Sequence, residues 1–252
     1  MAHSSEGEPV NVADRPELSL RLPRLLKEAR ERDDVFAETG LLIGLPTMVW
    51  LACDRPDEAD EHVDAAMRRW TSAGFHSQHY FALVARVQTA LYRGDGAAAL
   101  RLLKAAWPKL ESAMLLRLQS IRIELHHLRA RAALSASAAR SPPKDPRKLL
   151  RLAVKDASSI GGEDMLWASP LAEIIEAGVF AQRGERRAAR DALGRAAAGF
   201  DSLEMGLYAA AARFQRERLT GGAGDGAWMV EQGIVDPSKM ASMLVPGCER
   251  AP

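Results

Sequence analysis

The sequence predicts an all-α protein, an α-solenoid of stacked antiparallel helix hairpins closed by short C-terminal capping helices. Three observations point there. Alanine, leucine, arginine and glutamate dominate from about Pro16 to Leu244, and alternating β-branched runs of strand type are missing. One spacing of small and bulky residues recurs along the chain. Each copy follows a glycine or aspartate suited to ending a helix.

From Gly94, small Ala99 lies five residues on, Leu103 nine and Ala106 twelve; from Gly184 the same steps reach Ala189, Leu193 and Ala196. From Asp54 they reach Ala59, Val63 and Ala66, and a weaker copy from Asp145 reaches Leu150, Val154 and Ala157. Sixteen residues after the anchor stand Trp70, Leu110 and Phe200, with Gly161 in the weak copy. Steps of four and three trace one helix face, where alanine lets a second helix approach and the branched residue fills the gap.

The elements follow in order. Residues 1–15, polar and acidic, read as a disordered segment ahead of a repeat domain over 16–219. Counting from Glu17 gives Leu22, Leu26 and Ala29, the face of a second helix with no first helix before it. Either this is an atypical capping helix, or the chain begins inside a longer solenoid whose apolar strip is exposed or covered by a preceding domain; the second fits the pattern better.

The first helices of the four pairs are expected at Phe36 to Cys53, Gln78 to Tyr92, Met114 to Ala136 and Leu171 to Arg183. Their partners start near Pro56, Ala97, Arg147 and Arg186. In the bends, Asp95 and Glu185 are placed to accept from the next helix's first amides. Ser135 to Pro146, SASAARSPPKDP, is the longest loop. One more helix, Met205 to Leu219, turns Leu207, Ala210, Ala211 and Phe214 inward.

Glycine-rich 220–226 then releases the chain into capping helices over 227–247. The first stops at Gly233; the second has Asp236 as cap, Pro237 at its first position and Pro246 at its end. Trp228, Met229, Met240 and Met243 are expected to pack this cap, and 248–252 to form a disordered tail.

Composition narrows the functions. A net charge of +1, from 34 basic and 33 acidic residues mixed along the chain, offers no field to steer nucleic acid or an anionic membrane. The most apolar run, Gly40 to Cys53, is short for a membrane span and interrupted by Pro46. The N-terminus lacks a signal-peptide core. Two distant cysteines, Cys53 and Cys248, indicate neither a disulfide framework nor a zinc site, and a reducing cytoplasm suits them.

The chemistry-bearing motifs favour structural roles. His76 and His79, three apart, lack a carboxylate or thiol at ligand spacing; His126 and His127 are adjacent and cannot chelate together. The acidic run Asp54 to Asp64 lacks EF-hand spacing and suits a helix start. Arg183 to Asp191, RGERRAARD, reads as a solvated face, with an anion patch as the alternative. Arg93-Gly94-Asp95 reads as a bend, since no strand precedes it and no GK[ST] follows. No nucleophile elbow or kinase motif occurs, so no catalytic, cofactor-binding or metal-binding residue is assigned, and the partner-binding residues are unknown.

Three pieces carry a resemblance: GLPTMVWLACDRPDEADEHVDAAMRRWTSAGFHSQHY with LYRGD following, LRARAAL at Leu128 to Leu134, and WMVEQGIVDPSKMASMLVPG. Together they resemble the C-terminal tetratricopeptide-like (TPR-like) helical region of large bacterial serine/threonine protein kinases, over nearly all of residues 16 to 247. The resemblance implies a cytoplasmic sensory or docking region that binds protein or peptide partners. The kinase domain is absent here, so kinase activity does not carry over, and a truncated or separately encoded piece is expected. The expected function is therefore a non-catalytic interaction domain without a cofactor, with a small-molecule-sensing helical domain as the alternative.

Overall fold

One backbone device makes most of the bends. In the computed structural model, which describes residues 24–43, 45–71, 73–139 and 145–248, Gly94 has φ +75°. Its amide donates to Leu91 O and the next amide, of Asp95, to Ala90 O, both at 2.9 Å. This crossed pair is a Schellman motif, which satisfies the last carbonyls of one helix while reversing the chain. The same pair of bonds recurs at Gly184 and Glu185, and at Asp54 and Arg55. It also closes two further bends that, like the one at Asp54 (φ 56°), have no glycine, at Asp33 (φ 50°) and Glu204 (φ 56°).

The helices so punctuated are α1 (24–31 among the described residues), α2 (Val35–Leu42), α3 (Leu45–Ala52), α4 (Pro56–Arg69), α5 (Ser77–Tyr92) and α6 (Gly96–Ser112). A 3-10 turn over Leu115–Arg117 leads to α7 (Gln119–Ala138), α8 (Pro146–Gly161), α9 (Ala168–Gln182), α10 (Arg186–Ser202) and α11 (Gly206–Thr220). Two short helices, α12 (Ala227–Glu231) and α13 (Pro237–Leu244), end the chain. The described residues contain no strand, so the protein is all-α.

Several expected boundaries move. The first helix of the first pair is broken: Ile43 is extended at φ −120°, ψ 164°, and α3 starts with Pro46 in its first turn, where the missing amide costs nothing. Met114 turns left-handed at φ 56°, so α7 begins after a 3-10 turn rather than at Met114. It then runs to Ala138, which makes Ser135–Ala138 helical rather than loop. Helix α9 begins three residues before Leu171. The expected disordered segment 1–15 and Leu22 lie outside the described residues, as does most of 248–252; Cys248, the one described residue of that tail, is buried at 2% exposure.

The repeat itself is sharper when counted from the N-cap. In α4, α6 and α10, capped by Arg55, Asp95 and Glu185, positions four, eight, eleven and fifteen after the cap hold Ala-Val-Ala-Trp, Ala-Leu-Ala-Leu and Ala-Leu-Ala-Phe. Helix α8 falls into line with Asp145 as its cap, giving Leu149, Ala153, Asp156 and Ile160. Of the expected inner face of this copy, Leu150, Val154 and Ala157, Ala157 is buried and Leu150 packs on the core, but Val154 is 38% exposed, whereas Ala153, Asp156 and Ile160 are fully buried, so the face is centred one residue earlier. Asp145 does the work of Asp95, not of Gly94. Its side chain accepts from Lys148 N as that of Asp95 accepts from Ala98 N. Glu185, expected to cap likewise, makes no such bond.

Val63, Leu103 and Leu193 are at most 1% exposed, as the alternation of small and large residues requires. Gly96 shows how closely the helices approach, since a Cβ there would run into the backbone of α7 at Ala132 and Ala136. Consecutive helices pack on one another from α2 to α11; in addition α3 touches α5, α5 touches α7 and α7 touches α9. These alternate helices therefore line one row. At its start, Ala29 is buried and Leu26 packs on the Leu42, Ile43 and Val63 cluster. The stretch Val35–Ala52 is apolar and long enough to cross a membrane by composition, but it comprises two eight-residue helices and about half of it is buried in the protein.

Candidate functional site

The row of alternate helices is covered by the chain's own C-terminal segment. Leaving α11 through the glycine-rich stretch, the chain returns so that Val235 N–H donates to Ala52 O at 2.9 Å, at the far end of α3. Lys239 Nζ then meets Asp54 at 2.8 Å, and Tyr92 donates to the same carboxylate at 3.0 Å. Further along, Arg131 of α7 donates to Met243 O at 3.2 Å and Gln215 of α11 to Val245 O at 3.1 Å. The segment was expected as a cap; it is instead a brace that reaches from α3 to α11. Met229, Met240 and Met243 are fully buried under it, as their expected packing role requires, and Trp228 is half-buried against Gly206.

Beneath the brace lies a polar stripe that sequence reading missed. Glu124, His127 and Arg131 stand at i, i+3 and i+7 on α7, hence on one face. That spacing along one face was the available signal. Tyr80 of α5 donates to Glu124, and burial followed by this carboxylate drives the phenol well above its usual range. Burial also raises the Glu124 carboxyl, with Tyr80 and Arg131 opposing. His127 is buried against the Tyr208 ring and held well below the ordinary histidine range, first by burial and then by Arg131. The stripe thus presents a neutral imidazole and a buried guanidinium that donates from Nη1 to one main-chain carbonyl. That arrangement binds peptide backbone.

A second polar cluster joins α6, α7 and α8. Asp156, fully buried, accepts from Arg129 at 2.9 and 2.6 Å and lies 2.8 Å from His126 Nδ1, while the Arg129 guanidinium stacks 3.9 Å over Trp107. Every oxygen is engaged. Nearby, Arg122 and Gln119 hold Glu163, whose carboxyl Arg122 lowers below its usual range. These bonds tie the first turn of α7 to the α8–α9 connection.

The sequence-level candidates take structural places. His76 and His79 form the capping box of α5: His79 Nδ1 accepts from His76 N at 3.1 Å, and His76 Nε2 bonds Ala73 O. His126 and His127 face apart, one toward Asp156 and one toward Tyr208. The acidic run is largely paired, Asp57 and Asp60 with Arg93 and Asp64 with Arg86. Arg93 of the RGD triplet therefore serves the α4–α5 seam. The arginine-rich turn lines a wide-open hollow from Gly184 to Asp191, and Arg186 donates to Leu219 O. Among the described residues no group of three or more His, Cys, Asp or Glu is placed to hold a metal.

No family model, curated protein or solved structure matches the chain.

Proposed function

We propose that the chain is a non-catalytic helical-repeat interaction domain, a TPR-like α-solenoid that docks a protein partner. In this reading the alternate helices form the inner row of the solenoid and the brace fixes its curvature. The partner surface is then the edge where successive hairpins are connected. One observation carries this. Leu166 in the α8–α9 connection is 82% exposed, and Met114 and Leu118 in the α6–α7 connection are 57% and 54% exposed. Glu163 of the α8–α9 connection accepts from Gln119 and Arg122 in the first turn of α7, and Arg122 also donates to Leu116 O of the α6–α7 connection. Apolar side chains of this size, gathered at one edge and rimmed by polar residues, are what interfaces use.

Two surface hollows, one from Gly184 to Asp191 and one lined by Phe75, His79 and Pro108, are open to solvent, a shape that suits a protein surface better than an enclosed small molecule. A docking role of this kind matches the cytoplasmic regulatory tails of bacterial serine/threonine kinases that the sequence resembles. Photo-reactive residues placed singly at Met114, Leu166 and, as control, Val154 test it in cells. The proposal predicts one protein cross-linked from the first two positions and not from Val154, and binding of that purified protein by the full chain. Equal labelling from all three sites, or tight retention of a small molecule in native mass spectra, contradicts it.

A further inference from the structure

We infer that the hollow between the start of α5 and the end of α6 is the specific part of this docking edge, and that it receives a carboxylate side chain of an acidic, apolar segment of the partner protein. The inference rests on the protein-docking reading and deepens it.

The hollow measures about 790 Å³ and is lined up to Ala113, the residue before Met114, with Phe75 and Pro108 giving it apolar walls. Two residues with side-chain donors, His79 and Lys109, line it. His79 has its Nδ1 committed as acceptor from His76 N–H, so the neutral ring carries its proton on Nε2. Phe75, stacked on the imidazole with centroids 5.4 Å apart, fixes the ring's plane. Lys109 lines the same hollow, and among the described residues no carboxylate lies within ion-pair distance of it.

The remaining groups make the hollow an anion's complement. Burial first, and then the electrostatic influence of its neighbours His76 and Lys109, hold the His79 pKa below the ordinary value. Ser112 Oγ, also in the lining, is committed to Pro108 O and leaves the two nitrogens as the donors. The first turn of α5 carries no acidic residue, so its amide end adds to the positive field. A bound carboxylate would accept from His79 Nε2 and Lys109 Nζ, while a neighbouring apolar side chain would lie on exposed Met114 and Leu118.

The test titrates the full, isotope-labelled chain with acetyl-Leu-Glu-Leu-amide, its acetyl-Leu-Gln-Leu-amide counterpart and inorganic phosphate, reading His79 and Lys109 resonances. The glutamate peptide is expected to bind about tenfold more tightly than the glutamine peptide and to raise the His79 titration midpoint. Lys109→Met is expected to abolish that preference without changing the melting temperature, since the residue is exposed. Equal binding of the two peptides, equal shifts from phosphate, or shifts confined to other residues overturns the inference. A cross-linked partner whose affinity Lys109→Met leaves unchanged refutes this site while the docking reading stands. Glutamate binding at His79 in a chain that cross-links no protein refutes the docking reading alone.

Discussion

Gly178→Ala tests the brace by the sign of its effect. In the middle of a helix this substitution removes backbone freedom from the unfolded chain and stabilises by about 1 kcal/mol when the added methyl meets nothing. At Gly178 of α9 the methyl would sit 2.5 Å from Pro246 O and 2.7 Å from a Leu134 methyl. Pro246 cannot step back easily. Val245 before it is held by Gln215, and Gly247 after it faces the Gln182 amide and the Gly178 carbonyl. Overpacking of this kind costs up to about 3 kcal/mol, so the net change is a destabilisation of about 2 kcal/mol.

Gly194→Ala in α10 supplies the control, because its methyl would meet only the Arg216 side chain at an ordinary 3.6 Å. Urea melts followed by circular dichroism are expected to show Gly194→Ala stabilised by about 1 kcal/mol and Gly178→Ala shifted the other way. If both variants are stabilised alike, the C-terminal segment is not seated against α9 and the reasoning fails.

Three further outcomes follow from the packing. Leu193→Ala, emptying a fully buried position between α9 and α10, is expected to cost about 2 to 5 kcal/mol; a change in the urea midpoint worth under about 0.5 kcal/mol would contradict that seam. Asp156→Ala leaves the Arg129 charge without its buried partner and is expected to cost about 3 to 5 kcal/mol, with Asp156→Asn intermediate in the same melts. His127 is held neutral by burial, so its folded pKa lies below its unfolded one and the unfolded chain takes up the proton first. Stability therefore falls as pH drops from about 6.5, and in His127→Leu the loss between pH 7.5 and 5 is expected to be smaller; an unchanged acid limb would show the imidazole to be solvated.

The sequence made the hairpins legible wherever the bend announced itself. Gly94 and Gly184 have no Cβ to oppose a left-handed conformation, so the count from them was in register, and Asp54 sat at the same place. Asp33 and Glu204 make the same bend at a strain of about 1 kcal/mol each, and a side chain that carries such strain looks ordinary in a sequence. The α8 copy slipped by one residue because Asp145 resembles the aspartate at 54, whereas its role is that of the cap at 95; aligning on caps removes the slip and exposes Asp156 as a buried acid at a small-residue position. The path of the brace depends on contacts between residues up to 185 apart, as in the Lys239–Asp54 pair. No local pattern encodes those.

The central claim is that the C-terminal brace couples hairpins which a linear stack would leave coupled only to their neighbours. Native-state hydrogen exchange on the wild-type chain and on Gly178→Ala measures this directly. The account predicts that the slowest amides of α5 and of α10 open with one shared free energy, and that both fall together by about 2 kcal/mol in the variant. A loss confined to α9 and the segment after 226, with α5 unchanged, would contradict it.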